Sequence, residues 1–153
     1  MQLSWSRRIS TGAGAGALAT APMSLVMLAA QRLGLLGKPP PATITDAALR
    51  QADAHPPRSQ RHALAVLAHV GFGAAAGALF GLLRGGRPES GRAALEGAVF
   101  ATGVWAASYA GWIPALGILP PPTRDRPGRP PSMIVAHWVY GAALGLAVAR
   151  ARR

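Results

Sequence analysis

The chain has no cysteine, which removes disulfides, thiolate metal sites and cysteine nucleophiles together. Acidic residues are nearly as scarce, five against sixteen Lys and Arg, and no paired carboxylates stand at a spacing suited to acid–base work. No Ser/His/Asp order, HExxH or phosphate-binding loop is present, which sets hydrolases and NTPases aside. Charge of any sign is low, 14% of residues where a soluble domain carries about 25%. Aromatics are only 6%, so the chain has little material for a bulky aqueous core.

What is present is Ala, Gly, Leu and Val. Half of the 153 residues are apolar, with a mean hydropathy of +0.24, spread thinly over small side chains that suit close helix contacts. The net charge of +11 raises nucleic acid as a partner. The arginines, however, lie almost entirely between or beyond the apolar runs, where lipid headgroups would meet them. No zinc motif or aromatic RNA-binding pattern accompanies them, so nucleic acid is not an expected partner and the lipid bilayer is.

The stretch Ala68–Leu83 organises the rest. It places Gly73, Gly77 and Gly81 four apart, with His69 one step earlier in the same series. Residues four apart share one helical face, so the helix carries a stripe almost free of side chains and one imidazole on it. In water each interior Gly costs roughly 1 kcal/mol against Ala. In lipid such a stripe lets a second backbone approach closely. A near-copy at Ala136–Ala147 repeats the arrangement with His137, Gly141 and Gly145.

The pattern predicts an all-α protein: a single integral membrane domain built as a four-transmembrane-helix bundle, with crossings at about 10–36, 62–83, 93–119 and 132–149. The first carries Gly12 and Gly16, and Pro22 is expected to kink it. An alternative for this segment is a twin-arginine export signal built on Ser6-Arg7-Arg8 and cleaved near Leu28-Ala29-Ala30, but the apolar run continues past that point and a retained helix is expected. In the first loop, Pro39-Pro40-Pro41 should stop the helix, and Thr45 should cap a short interfacial helix over 45–54. Residues 84–92 read as a polar turn. The third crossing offers Gly103, Ala107 and Gly111 as its small stripe, and the Pro-rich segment 120–131 reads as stiff loop throughout.

An even number of crossings puts both termini on one side. Placing that side inside assigns it Arg7, Arg8, Arg84, Arg87, Arg92, Arg150, Arg152 and Arg153. These sit in short segments close to helix ends, where the positive-inside tendency operates. The expected location is a bacterial cytoplasmic membrane, N-in and C-in.

The two halves resemble each other. Leu33-Gly34-Leu35-Leu36 before a proline pair matches Leu116-Gly117-Ile118-Leu119 before another, and each is followed by an AH-x3-GAA-x-G element. With two crossings per unit, the copies would be tandem hairpins in the same orientation, related by an axis along the membrane normal.

The candidate intramembrane polar site comprises His69 and His137, at equivalent places, with Tyr109 and Ser108 at a similar depth. Intramembrane ionisable residues are functional candidates, and a His switches most readily near neutral pH. The plainer account has each His bonding a neighbouring carbonyl or Tyr109 to hold helices in register. Ligation of haem between the two His is a third option, tested by the colour of the purified protein; no cofactor is expected. Glu96 is expected to sit beside Arg92 at a helix N-terminus, and Arg32 to snorkel.

The run SYAGWIPALGILPPP (Ser108–Pro122) and then AHWVYG (Ala136–Gly141) before a terminal Arg cluster resembles the YagU-like family of small bacterial inner-membrane proteins. The resemblance covers the last two helices and implies an integral membrane location, with no established chemistry. The expected function is therefore non-enzymatic: a membrane protein that packs with copies of itself or with another membrane protein through its Gly stripes, with a pH-sensitive His pair. The alternative is a small oligomeric transporter or channel whose polar path is lined by His69, His137, Tyr109 and Ser108.

Overall fold

The computed structural model describes residues 4–84 and 91–151. The expected polar turn therefore lies largely outside the described residues, as do Arg87, Arg152 and Arg153 of the topology argument. Among the described residues every regular element is helical: α1 (Trp5–Arg32), α2 (Pro40–Gln51), α3 (Arg58–Arg84), α4 (Ala93–Ala107), a π-helical turn (Ser108–Trp112), α5 (Ile113–Ala115) and α6 (Arg129–Arg150). Three of these, α1, α3 and α6, are long and apolar enough to cross a membrane. At 1.5 Å per residue they measure about 42, 40 and 33 Å, against a hydrocarbon core of about 30 Å.

The expected helix 93–119 differs most from what is found. It is regular only to Ala107, widens through the π-helical turn, and ends at Ala115. Two residues account for this. Pro114 cannot donate to the carbonyl one turn back, and its ring crowds that carbonyl. Ser108 Oγ donates 2.7 Å to Val104 O, competing for an acceptor that the regular helix uses. The chain answers with the wider i→i+5 turn, in which Ile113 N–H reaches Ser108 O.

Proline also starts helices here, where the sequence reading had it only stopping them. α2 opens at Pro40 with Pro39 as its cap, so Thr45 lies inside the helix and is not its cap. Likewise Arg129-Pro130-Pro131 forms the first turn of α6 and is not loop. The first helical turn has no use for the proline's missing N–H, and the ring presets the helical φ. Pro22 sits within α1, which remains one helix.

α1 packs against both α3 and α6, and α4 packs against α6, while α3 and α4 touch little. The order across the bundle is therefore α3, α1, α6, α4. Glycines set the two outer pairings. A Cβ on Gly12 or Gly16 would overlap the carbonyl of Gly77 or Gly73 on α3, and one on Gly97 would overlap that of Gly141 on α6. Gly81 and Gly145 are closed in the same way, by Arg8 O and Ala93 O. The expected stripe on α4 is displaced. A Cβ on Gly103 would meet nothing within 4 Å, and one on Gly111 would approach only its own helix segment; the contact face is Ala93, Gly97 and Ala101, all buried.

Beyond the glycines the filling is larger. Met23, Met27, Tyr109, Ile113, Met133, Tyr140 and Leu144 are buried together. Large apolar side chains also point outward, among them Leu18, Leu25, Val66, Leu67, Leu83, Leu95 and Val99.

Both α1 and α5 end the same way. Leu35 N–H donates to Ala30 O and Ile118 N–H to Ile113 O, around Gly34 and Gly117 at φ +75° and +67°, values that favour residues without a Cβ. The two loops that follow meet. Arg129 Nε donates 3.0 Å to Leu36 O, the Arg126 guanidinium packs on Gly37, and Gly128 lies against Leu35.

Candidate functional site

Between the two pairings, from the Gly73 contact toward the loop end, the bundle frames a partly open cavity of about 260 Å³. α1 contributes Thr20, Met23 and Met27; α3 contributes Ala68, His69, Phe72 and Ala76; α6 contributes Met133, His137 and Tyr140. The π-helical turn supplies Ser108, Tyr109 and Trp112, and Pro40, Pro41 and Ile44 of α2 close the loop end. The space exists because facing positions change from Gly to Thr, Met, Phe and Tyr along these helices, so the backbones that touch at one end are held apart at the other.

All four residues proposed from sequence, His69, His137, Tyr109 and Ser108, line this cavity. Their bonding differs from the expected helix-bridging arrangement. His137 Nδ1 lies 2.7 Å from Met133 O on its own helix. A carbonyl only accepts, so Nδ1 carries the proton and Nε2 of the neutral ring presents a lone pair. Tyr109 donates 2.6 Å to Asp125 Oδ2 and not to a His. Ser108 is committed to Val104 O. His69 Nε2 is buried and has no hydrogen-bond partner among the described residues.

Three polar groups at or near the site were missed in the sequence. Tyr140 donates 2.7 Å to Gly73 O, tying α6 to α3; it stands three residues after His137, one turn along the same face. Asp125 and Arg129 form a buried pair, with Arg129 Nη1 at 2.9 and 3.0 Å from the two carboxylate oxygens. Asp125 also accepts the Arg126 N–H at 2.7 Å. The i, i+4 spacing of an acid and a base just before a Pro-Pro helix start was the available signal.

Away from the cavity, Glu96 stands in the first turn of α4, whose cap is Arg92, and accepts from Arg84 Nε at 2.8 Å; Arg84 is buried. At the loop end Lys38 Nζ donates to Asp46. That bond, with the positive charges of Lys38, Arg61 and Arg50, holds the Asp46 carboxyl below its ordinary pKa.

The chain matches the Family of unknown function (DUF6789) over residues 6–153, and it belongs to that family. Nothing in the comparisons connects it to the YagU-like family that its last two helices resemble. No curated protein matches the chain, and no solved structure does.

Proposed function

We propose that this member of the DUF6789 family is a four-crossing integral protein of a bacterial cytoplasmic membrane that binds a small, mainly apolar molecule in its inter-helix cavity, without catalysing a reaction on it. The fourth crossing is the segment from Ala93 to Ala115, whose 23 helical residues (15, 5 and 3 in succession) rise about 33 Å. The supporting observation is that the loop after α1 and the loop after α5 touch through Leu36, Gly37, Arg126 and Arg129. With α1 and α3 spanning, the 93–115 segment starts on the side opposite the loop after α1, so loops that meet on one side require it to cross as well. The matching helix ends at Gly34 and Gly117 and the paired Gly contacts favour a tandem duplication of hairpins.

The binding reading rests on one observation: a cavity lined mostly by apolar side chains collects His69, His137, Tyr109 and Ser108. Such a pocket, apolar with a few convergent polar groups, is the usual form of a small-molecule site. The Gly stripes do not favour a partner protein, because Gly12, Gly16, Gly73, Gly77, Gly97, Gly141 and Gly145 are closed by contacts within the chain. The same contacts shut one half of the bundle, which disfavours a polar path running through it.

Ala76→Phe tests this by filling the cavity from α3. Protein purified in mild detergent and extracted with organic solvent should release a small molecule by mass spectrometry that is depleted in the Ala76→Phe sample. Identical extracts from the two proteins would remove the binding reading.

A further inference from the structure

We infer that the molecule held in this cavity carries a hydroxyl group on an apolar body, a phenol or an alcohol, with the hydroxyl bridging His69 and His137. The inference rests on the cavity being a binding site and specifies what it selects.

The hydroxyl hydrogens of the lining are already spent. Ser108 donates to Val104 O, Tyr109 to Asp125, Tyr140 to Gly73 O and Thr20 to Ala17 O. Each hydroxyl has one hydrogen to give, so none of these groups offers a donor to a guest. The imidazoles differ. The Met133 carbonyl fixes the proton of His137 on Nδ1 and leaves Nε2 as an acceptor. Among the buried side-chain polar atoms of the lining, His69 Nε2 is the one without a hydrogen-bond partner among the described residues. Both imidazoles belong to residues that line the cavity, and a proton on that nitrogen makes it a donor.

One small group satisfies a donor and an acceptor through a single atom: a hydroxyl, whose oxygen accepts from His69 while its hydrogen goes to His137. A carbonyl or ether answers only the donor. A carboxylate or ammonium would bring an uncompensated charge into an apolar enclosure, because the nearby charges of Asp125 and Arg129 are bonded to each other. The mostly apolar wall, with Met23, Met27, Phe72, Ile44 and Met133, takes the rest of the molecule.

The probes are 4-tert-butylphenol, its methyl ether and tert-butylbenzene, titrated into the full-length protein in lipid nanodiscs against empty nanodiscs. The phenol should bind saturably and about 2- to 10-fold tighter than the ether, the gain of one net hydrogen bond. His69→Leu and His137→Leu should abolish that preference while still binding the hydrocarbon. As a measurement independent of variants, the ¹⁵N signal of His137 Nε2 in the wild-type protein should move upfield, toward hydrogen-bond acceptance, on adding the phenol and stay fixed on adding the hydrocarbon. Equal saturable binding of all three overturns the hydroxyl inference and leaves the cavity reading standing. Absence of saturable binding by any of them overturns both.

Discussion

Replacing Asp125 by Asn removes a negative charge from a place where water can do little to compensate. Only 3% of the Asp125 side chain and 9% of the Arg129 side chain are exposed, so the guanidinium would lose its counter-charge while remaining buried. It would keep its bond to Leu36 O at 3.0 Å, and the Asn oxygen could still accept from one partner. Truncating one member of a buried pair costs about 3–5 kcal/mol, and a hydrogen bond from Tyr109 to a charged acceptor contributes about 1.5–3 kcal/mol. These overlap, because Asn retains one acceptor, so the expected loss is about 3 kcal/mol. Reversible unfolding of the detergent-solubilised protein, titrated with denaturing detergent and followed by tryptophan fluorescence, measures it. Arg129→Met should be similarly damaging alone, whereas the double variant should lose clearly less than the sum, because no unpaired charge is then left inside. A cost for Asp125→Asn below about 0.5 kcal/mol, the range of ordinary surface changes, would refute the reasoning and place the pair in contact with water.

Gly97→Ala should destabilise by about 1–3 kcal/mol, since its Cβ would overlap the Gly141 carbonyl. Gly103→Ala, where a Cβ meets nothing within 4 Å, should be neutral or stabilise by up to about 1 kcal/mol; the same unfolding assay reads both. Asp46 should titrate below an ordinary Asp in a pH-dependent carboxyl NMR experiment, and Lys38→Met should raise it. Because the folded carboxyl is held low, its contribution is present above about pH 4 and disappears as the pH falls through the lowered value, so docking of α2 should loosen only in acid. An absorbance spectrum of the purified protein should show no Soret band; a band lost in His69→Ala would make the cavity a haem site.

The helical character and the contact stripes on α1, α3 and α6 were legible because a Gly every fourth residue in an apolar run has one physical use, close approach of backbones. The face of α4 was not. Gly103 stands about a third of a turn around the helix from Gly97 and Gly111 falls within the π-helical turn, and sequence alone does not say which small residues meet a partner. Proline misled in both loops, since Pro40 and Pro130 look the same whether they end one helix or begin the next. The π-helical turn at Ser108–Trp112 follows from Ser108 and Pro114 together, a combination whose effect appears only when the carbonyl acceptors are counted. His69, His137, Tyr109 and Ser108 were visible as ionisable or polar residues in apolar runs. Their neighbours Asp125 and Arg129 were hidden, because they sit in a Pro-rich segment whose charges read as solvated until the fold brings Leu36 and Tyr109 against them.

The central claim is that the segment Ala93–Ala115 crosses the membrane, so that the loops after α1 and α5 lie on one side. A chain without native cysteine allows single substitutions to report this directly. In intact cells a membrane-impermeant maleimide should label both Asp53→Cys and Thr123→Cys, and should reach Ser4→Cys only after the membrane is opened. Labelling of one loop position with protection of the other would contradict the account, because loops that touch through Arg129 and Leu36 cannot lie on opposite faces of a bilayer.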